Sequence, residues 1–209
     1  MSSMIHWNGN PMCVIDTETT GLDPNFHEMI QICILPLDSN IRIRRDILPF
    51  YIELLPQHPE RADPAAMQIN RLDFAIIGQR GHHPDKARDL LEEWIFKKLK
   101  PPTTKYGTFK KILPLGQNYP FDMGFIKAWL GNETYNEWFD YNYRDTKVVA
   151  NFLNDKAGMH VEKVPFSKTS LGSMAKNLNV INEKSHDALS DCQTTAEIYR
   201  KLLQQGLLV

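Results

Sequence analysis

Apolar positions along the chain recur in two rhythms, one of two residues and one of three to four, and together they predict strands early and helices late. Met12-Cys13-Val14-Ile15 is a short apolar run leading into Asp16, the pattern of a strand buried on both faces. Ile30, Ile32 and Ile34 alternate with Gln31 and Cys33, and residues 47–55 are rich in Ile, Phe, Tyr and Leu, so both segments read as strands. From Lys86 to Lys98 the positions Ala87, Leu90, Leu91, Trp94 and Ile95 keep helical spacing, and Pro101-Pro102 ends the helix. Residues 112–116 read as a further strand. Tyr119-Pro120 then opens a helix with the stripe Phe121, Phe125 and Trp129, which makes a βα unit. The last third predicts three helical stripes: Val148, Val149, Phe152 and Leu153; Leu171, Met174, Ala175 and Leu178; Ala188, Cys192, Ala196, Tyr199 and Leu203. Lys100 to Lys111 reads as a surface loop, and no internal repeat appears.

Composition narrows the class. With 209 residues, 42% of them hydrophobic and 23% charged, the chain is globular rather than disordered or fibrous, and one domain over residues 1–209 with a core of about 12–203 is expected. Lys and Arg number 24 against 25 Asp and Glu, a net charge of −1, which excludes a basic nucleic-acid-coating protein and at first disfavours any polyanionic substrate. Cys13, Cys33 and Cys192 are an odd number with no C-x-x-C pair, so a reducing compartment is expected. Met1 to Met12 holds no export signal and no stretch reaches the roughly 20 apolar residues of a spanning helix; a cytoplasmic protein with no membrane partner is expected.

Three groups of residues carry candidate chemistry. Asp16 and Glu18 stand two apart at the end of the first strand, so their carboxylates project to one face and repel unless a cation intervenes. Hard divalent ions such as magnesium or manganese suit such oxygen ligands. The alternative is that Asp16 ends the strand and Glu18-Thr-Thr-Gly is an exposed turn. Asp122 falls in the first turn of the helix after the fourth strand, from where it can face the same sheet end; the alternative is a residue favoured there by the helix dipole alone. His186 and Asp191 are five apart, about 140° on a helical wheel, and converge only if His186 lies in the loop and Asp191 one turn inside, with Asp187 as the cap. Otherwise both are solvated surface groups.

In this order the three groups resemble the motifs of the DEDDh, DnaQ-like exonucleases, a family that includes polymerase proofreading subunits, RNase T and oligoribonuclease. Asp16 to Gly21 matches Asp-x-Glu-Thr-Thr-Gly; Asn118, Phe121 and Asp122 match Asn-x-x-Phe-Asp; His186, Ala188 and Asp191 match His-x-Ala-x-x-Asp. Asp145-Thr146 fits a further Asp-Thr pair that opens a helix in the family. The resemblance runs from Met12 to about Leu203. It implies an α/β, RNase H-like fold with a mixed five-stranded sheet flanked by helices, and a 3′→5′ exonuclease releasing nucleoside 5′-monophosphates. Asp16, Glu18, Asp122 and Asp191 would hold two divalent cations, magnesium or manganese, while His186 would accept the proton of the attacking water near neutral pH. Thr19, Thr20, Gly21, Leu22 and Asn118 would contact the terminal nucleotide of a single-stranded or 3′-terminal nucleic acid, DNA or RNA. Two bound ions add four positive charges, turning −1 into about +3 concentrated in the cleft, so near-neutral composition suits a protein that grips a few terminal nucleotides.

Three departures from the family bear on substrate preference. Asn70-Arg71 follows Ile69 where many relatives carry His-Gly, Gln117 stands where His is frequent, and Pro120 precedes Phe121. Two other readings of the chain are an accessory subunit docking to a polymerase and a catalytically silent nucleic-acid-binding module. No sequence feature indicates a polymerase or a second copy of the chain as partner, and a stand-alone enzyme is favoured. His82-His83 lacks a third ligand nearby and reads as solvated loop imidazoles rather than a zinc site. Tyr135, Trp138, Phe139, Tyr141 and Tyr143 either stack bases or pack a strand and its loop, and Lys97, Lys98, Lys100, Lys105, Lys110 and Lys111 either steer phosphates or form a solvated loop.

Overall fold

In a computed structural model of the chain the described residues are 9–206. Five strands form one sheet: β1 (Met12–Thr19), β2 (Met29–Pro36), β3 (Phe50–Glu53), β4 (Leu113–Gly116) and β5 (Arg144–Asp145), in the spatial order β3-β2-β1-β4-β5. β1 pairs antiparallel with β2 and parallel with β4, so the sheet is mixed. Among the described residues eight α-helices accompany it: α1 (Pro64–Asn70), α2 (Phe74–Arg80), α3 (Pro84–Glu93), α4 (Pro120–Leu130), α5 (Asn132–Trp138), α6 (Thr146–Met159), α7 (Leu171–Asn177) and α8 (Ala188–Gly206). No helix among the described residues is long and apolar enough to cross a membrane.

Alternation along β1 decides which layer each side chain meets. Cys13 and Ile15 point into a core with α3, α4 and α5, built around Leu91, Phe125, Tyr135 and Phe139. Met12 and Val14 point the other way, against Ala188, Cys192 and Ala196 of α8. Period-two geometry therefore carries Asp16 and Glu18 to the α8 side and Thr17 to the α4 side. α6, α7 and the far half of α8 close a third cluster around Phe166, Met174 and Ile198. All three cysteines are buried and unbridged.

Several expectations change. The helix foreseen over 86–98 starts at Pro84 and ends in a π-helical turn over Trp94–Leu99. Tyr135 and Trp138 belong to α5, a helix rather than a strand, and are buried with Phe139 in the core, whereas Tyr141 is exposed. Of the α6 stripe, Val149 and Leu153 are half-buried, while Val148 and Phe152 face solvent. α1 and α2, each seven residues long, hold too few turns to show a period; both start at an Asp cap, Asp63 and Asp73, whose side chains accept the N–H two residues on. His82 bridges to Leu54, and His83 caps α3 through Nδ1 and the Asp85 N–H.

Asp145 ties the parallel strands to the helices that follow. Its buried carboxylate accepts N–H groups from Asn118 (3.1 Å) and Tyr119 (2.8 Å) at the start of α4, and from Lys147 (2.8 Å) in the first turn of α6. Asn118 takes φ +61° there, a conformation that swings the chain from β4 into α4. Gly116 lies so close that a Cβ would meet Tyr119 Cβ at 2.9 Å. Replacing the carboxylate removes a helix cap and strands two N–H groups. Asp145→Ala is expected to lower unfolding free energy by about 3 kcal/mol, read from urea denaturation.

Candidate active site

The C-terminal end of β1 lies between the two helix layers, and an open cavity of about 310 Å³ is sunk there. Its lining includes Asp16, Glu18, Asp122, His186 and Asp191, so three distant parts of the chain meet at one point. Glu18, Asp122 and Asp191 are buried, Asp16 is half-buried and His186 is exposed. Oxygen or nitrogen atoms of Glu18, His186 and Asp191 lie within 4.8 Å of one another, a spacing that can hold a metal ion.

Two of the acidic groups, Asp122 and Asp191, have tethers of their own. Asp122 Oδ1 accepts the Thr17 N–H at 2.9 Å and the Thr17 hydroxyl at 2.8 Å, so the residue between Asp16 and Glu18 anchors the carboxylate arriving from α4. Asp191 Oδ2 accepts the His186 N–H at 3.1 Å and its Oδ1 accepts Asn182 Nδ2 at 3.3 Å. His186 takes φ +66° in the loop and Asp191 sits in the first turn of α8, the arrangement under which two residues five apart converge. Asp187 caps α8 by accepting the Ser190 N–H at 3.1 Å.

A second set of contacts fixes this loop to the sheet. Buried Gln31 on β2 accepts the Ala188 N–H at 2.8 Å, and its Nε2 donates to the Tyr51 hydroxyl at 3.2 Å. The Tyr51 hydroxyl in turn donates to Asp187 Oδ2 at 2.7 Å. Neither Gln31 nor Tyr51 carries a sequence signal of this role; only the alternation of Gln31 with isoleucines marks it as a polar residue on a buried strand.

Burial and crowding disfavour ionisation. Burial, then the charges of Asp122 and Glu18, push the Asp16 carboxyl well above its ordinary range. Glu18 is raised from an ordinary 4.5 to about 8 by burial and by Asp191, and Asp122 from 3.8 to about 7 by burial, against the opposing pull of the Thr17 bonds. Asp191 is also raised, chiefly by burial. Among the described residues no lysine or arginine forms an ion pair with any of the four. Crowded carboxylates without a cationic side chain are the donor set of a hard divalent ion, and the residues fit that group.

The substrate-side expectations divide. Gly21 and Leu22 line the cavity, as does Thr19, whose hydroxyl donates to the Gly21 carbonyl at 2.6 Å. A Cβ on Gly21 would stand 2.1 Å from the His27 ring, so any other residue there must displace that side chain. Leu22 is 76% exposed at the rim. Thr20 and Asn118 are not brought to the cavity: the Thr20 hydroxyl is buried, accepting the Glu28 N–H, and Asn118 Oδ1 accepts from Lys147 Nζ. The opposite wall, unread in the sequence apart from Ile69 and Asn70, is the α1 face of Ala65, Ala66 and Ile69, preceded by the cap Asp63. Asn70, buried, donates to the Thr19 carbonyl at 3.0 Å, and Arg71 takes φ +56° as the C-cap of α1. Gln117 accepts the Thr146 hydroxyl and donates to the Thr169 carbonyl at 2.7 Å.

The raised carboxyls set a pH dependence in the metal-free protein. In the unfolded chain Glu18 and Asp122 lose their protons near their ordinary 4.5 and 3.8; in the fold they keep them to about 8 and 7. The native state therefore binds more protons between about pH 4 and 8, and stability must fall as pH rises across that window. Thermal melts in chelator are expected to show Tm decreasing from pH 5 to 8, with Glu18→Gln flattening the slope and raising Tm at pH 8.

No family model matches the chain. DNA polymerase III subunit epsilon of Haemophilus influenzae is 23% identical over 201 residues, covering 92% of this chain and 67% of that protein. The PolC-type DNA polymerase III of Thermotoga petrophila is 24% identical over 194 residues, covering 91% of this chain and 12% of that protein. The chain thus spans two thirds of the first relative and about an eighth of the second. Among solved structures, cell-death related nuclease 4 superposes with a TM-score of 0.70 at 17% identity, covering 93% of this chain and 64% of the other. Escherichia coli exonuclease I in complex with a dA16 oligonucleotide gives 0.67 at 16% identity, covering 93% and 40%. A 3′-exonuclease described with a histone mRNA stem-loop gives 0.64 at 17% identity, covering 93% and 64%. With its mixed five-stranded sheet, its three acidic motifs meeting at one end of β1 and these similarities along nine tenths of its length, the chain has the RNase H-like fold of these solved exonucleases and resembles the polymerase III subunits in sequence.

Proposed function

We propose that the chain is a metal-dependent exonuclease that hydrolyses the terminal phosphodiester bond at the 3′ end of a single nucleic-acid strand and releases nucleoside 5′-monophosphates. The observation that carries this reading is the convergence of Asp16, Glu18, Asp122 and Asp191, with the His186 imidazole, on one open cavity. Asp16, Glu18, Asp122 and Asp191 would hold two magnesium or manganese ions, which when bound supply an acidified water and neutralise charge on the reacting phosphate.

The remaining work falls to the chain's own side chains. His186, exposed at the cavity and held by its backbone bond to Asp191, takes the proton of the attacking water; an aspartate there would already be ionised and a lysine already protonated near neutral pH. Leu22, Ile69 and Phe121 add apolar surface to the lining of the cavity, suited to the faces of a terminal base and sugar. Gln31 and Tyr51 hold the loop that carries His186, and Thr17 keeps Asp122 over the strand end.

The similarity to polymerase III subunits favours a second reading, in which this activity edits the product of a polymerase bound to the chain. Co-purification of a polymerase with the chain supports it, whereas rapid digestion of oligonucleotides by the isolated chain supports a free-standing enzyme.

Asp16→Asn, Asp122→Asn and Asp191→Asn are each expected to abolish magnesium-dependent release of mononucleotides from a 5′-labelled oligonucleotide; substantial activity in Asp191→Asn removes that residue from the metal site. His186→Ala is expected to slow turnover at least a hundredfold, within the roughly 10²–10⁴ of general-base catalysis, while calorimetry shows metal affinity retained. Lost metal affinity instead makes His186 a ligand. Tyr51→Phe, which deletes only the hydroxyl that holds Asp187, is expected to lower kcat several-fold with KM unchanged and to have no further effect in His186→Ala, as a double-mutant cycle tests.

A further inference from the structure

The active site leaves the lysine-rich stretch between α3 and β4 without a role. Six lysines, Lys97, Lys98, Lys100, Lys105, Lys110 and Lys111, lie between residues 94 and 111 with no Asp or Glu among them, in a chain of net charge −1. Positive charge is therefore concentrated in one place by far more than the composition suggests. Nearby acids offset only part of it: Glu93 pairs with Lys97 at 3.2 Å, and Glu137 faces the cavity beneath.

The stretch expected as a solvated loop is an ordered hairpin. Thr103 and Phe109 form an antiparallel bridge, the Thr104 N–H donates to the Thr108 carbonyl at 2.6 Å, and the Lys110 N–H donates to the Pro102 carbonyl at 2.8 Å. Gly107, at φ +82°, turns the tip. The base is anchored by Phe109 against Phe96, ring centroids 4.9 Å apart. At the tip Tyr106 is 80% exposed, with the Lys105 ammonium 4.9 Å from its ring centroid. An aromatic ring held out into water by a fixed hairpin, among lysines, is the makeup of a single-strand contact, in which bases stack and phosphates meet cations. The hairpin precedes the N-terminal end of β4, whereas Asp122 follows its C-terminal end, so the two places lie at opposite ends of the sheet.

We propose that this hairpin is a second contact for the nucleic-acid strand, remote from the catalytic cavity, with Tyr106 stacking on a base and Lys98, Lys105 and Lys111 pairing with phosphates. It rests on the exonuclease reading, and it is engaged only by strands long enough to reach from one end of the sheet to the other. A nucleic acid is favoured over an acidic protein because the cavity at the far end of the same sheet is read as acting on that polymer.

The test compares the wild-type chain with Lys105→Ala/Tyr106→Ala/Lys111→Ala, three changes at exposed positions. For a single strand of about 20 nucleotides KM is expected to rise about tenfold, with kcat and the KM for a dinucleotide unchanged. Binding of the same labelled strand in an Asp122→Asn background, without turnover, is expected to weaken about tenfold, and the slope of log Kd against log salt to fall by about 1.4 for two lost phosphate contacts. An unchanged long-strand KM and Kd overturns the proposal, as does an equal loss for the dinucleotide. So does saturable binding of polyglutamate lost in the variant while strand binding is kept, which assigns the hairpin to an acidic protein. A wild-type chain inert on every oligonucleotide defeats the exonuclease reading alone, since the binding measurement still decides the role of the hairpin.

Discussion

Four carboxylates brought to one cavity, with no cationic side chain among the described residues to pair them, are the constraint on which the molecule is organised. Such a cluster opposes folding: burial raises Asp16, Glu18 and Asp122 above the ordinary carboxylate range, and repulsion within the cluster adds to the rise at Asp16 and Glu18. The metal-free fold tolerates the cluster by keeping protons on it, and a divalent ion would replace those protons. The same repulsion that costs stability is what suits the cluster to a cation, so stability and the proposed function pull in opposite directions at the same atoms.

Holding the cluster together requires a scaffold that does not relax. The central strand is enclosed by two different helix layers, and its alternation sends the acidic pair Asp16 and Glu18 to one layer and the tether Thr17 to the other. α4 and α8 therefore meet the end of the sheet on opposite faces of a single tripeptide. Asp145 sets where α4 begins, and Gln31 with Tyr51 sets where α8 begins. Each contact uses a polar side chain within or beside the packed layers, where an unmade hydrogen bond costs more than a made one gains, which gives the site a narrow set of geometries.

The departures from the family motif are accommodated locally. Asn70 fills its position with two hydrogen bonds of its own, to the Thr19 carbonyl and from the Leu72 N–H. Arg71 adopts at φ +56° the left-handed turn that glycine adopts without strain. Gln117 uses its amide to join β4 to the segments at Thr146 and Thr169, so the wall of the cavity there is neutral and rigid. These substitutions alter the surface met by a substrate and leave the acidic cluster as it is.

Strands and most long helices were legible in the sequence because their cores impose period two or period three to four on adjacent residues, and the motif spacing from Asp16 to Glu18 is a property of one strand. The short helices α1, α2 and α5 were not legible, since seven residues hold too few turns to show a period and their ends are set by packing. By itself, the sequence determined the sheet-and-helix class, the acidic and imidazole groups and their order. Tertiary structure alone decided that residues more than a hundred positions apart share one cavity, that Thr20 and Asn118 turn away from it, and that Gln31 and Tyr51 brace the loop of His186. The reason is physical: periodicity reports neighbours along one element, whereas side-chain contacts between elements depend on register and crossing, which no local pattern encodes.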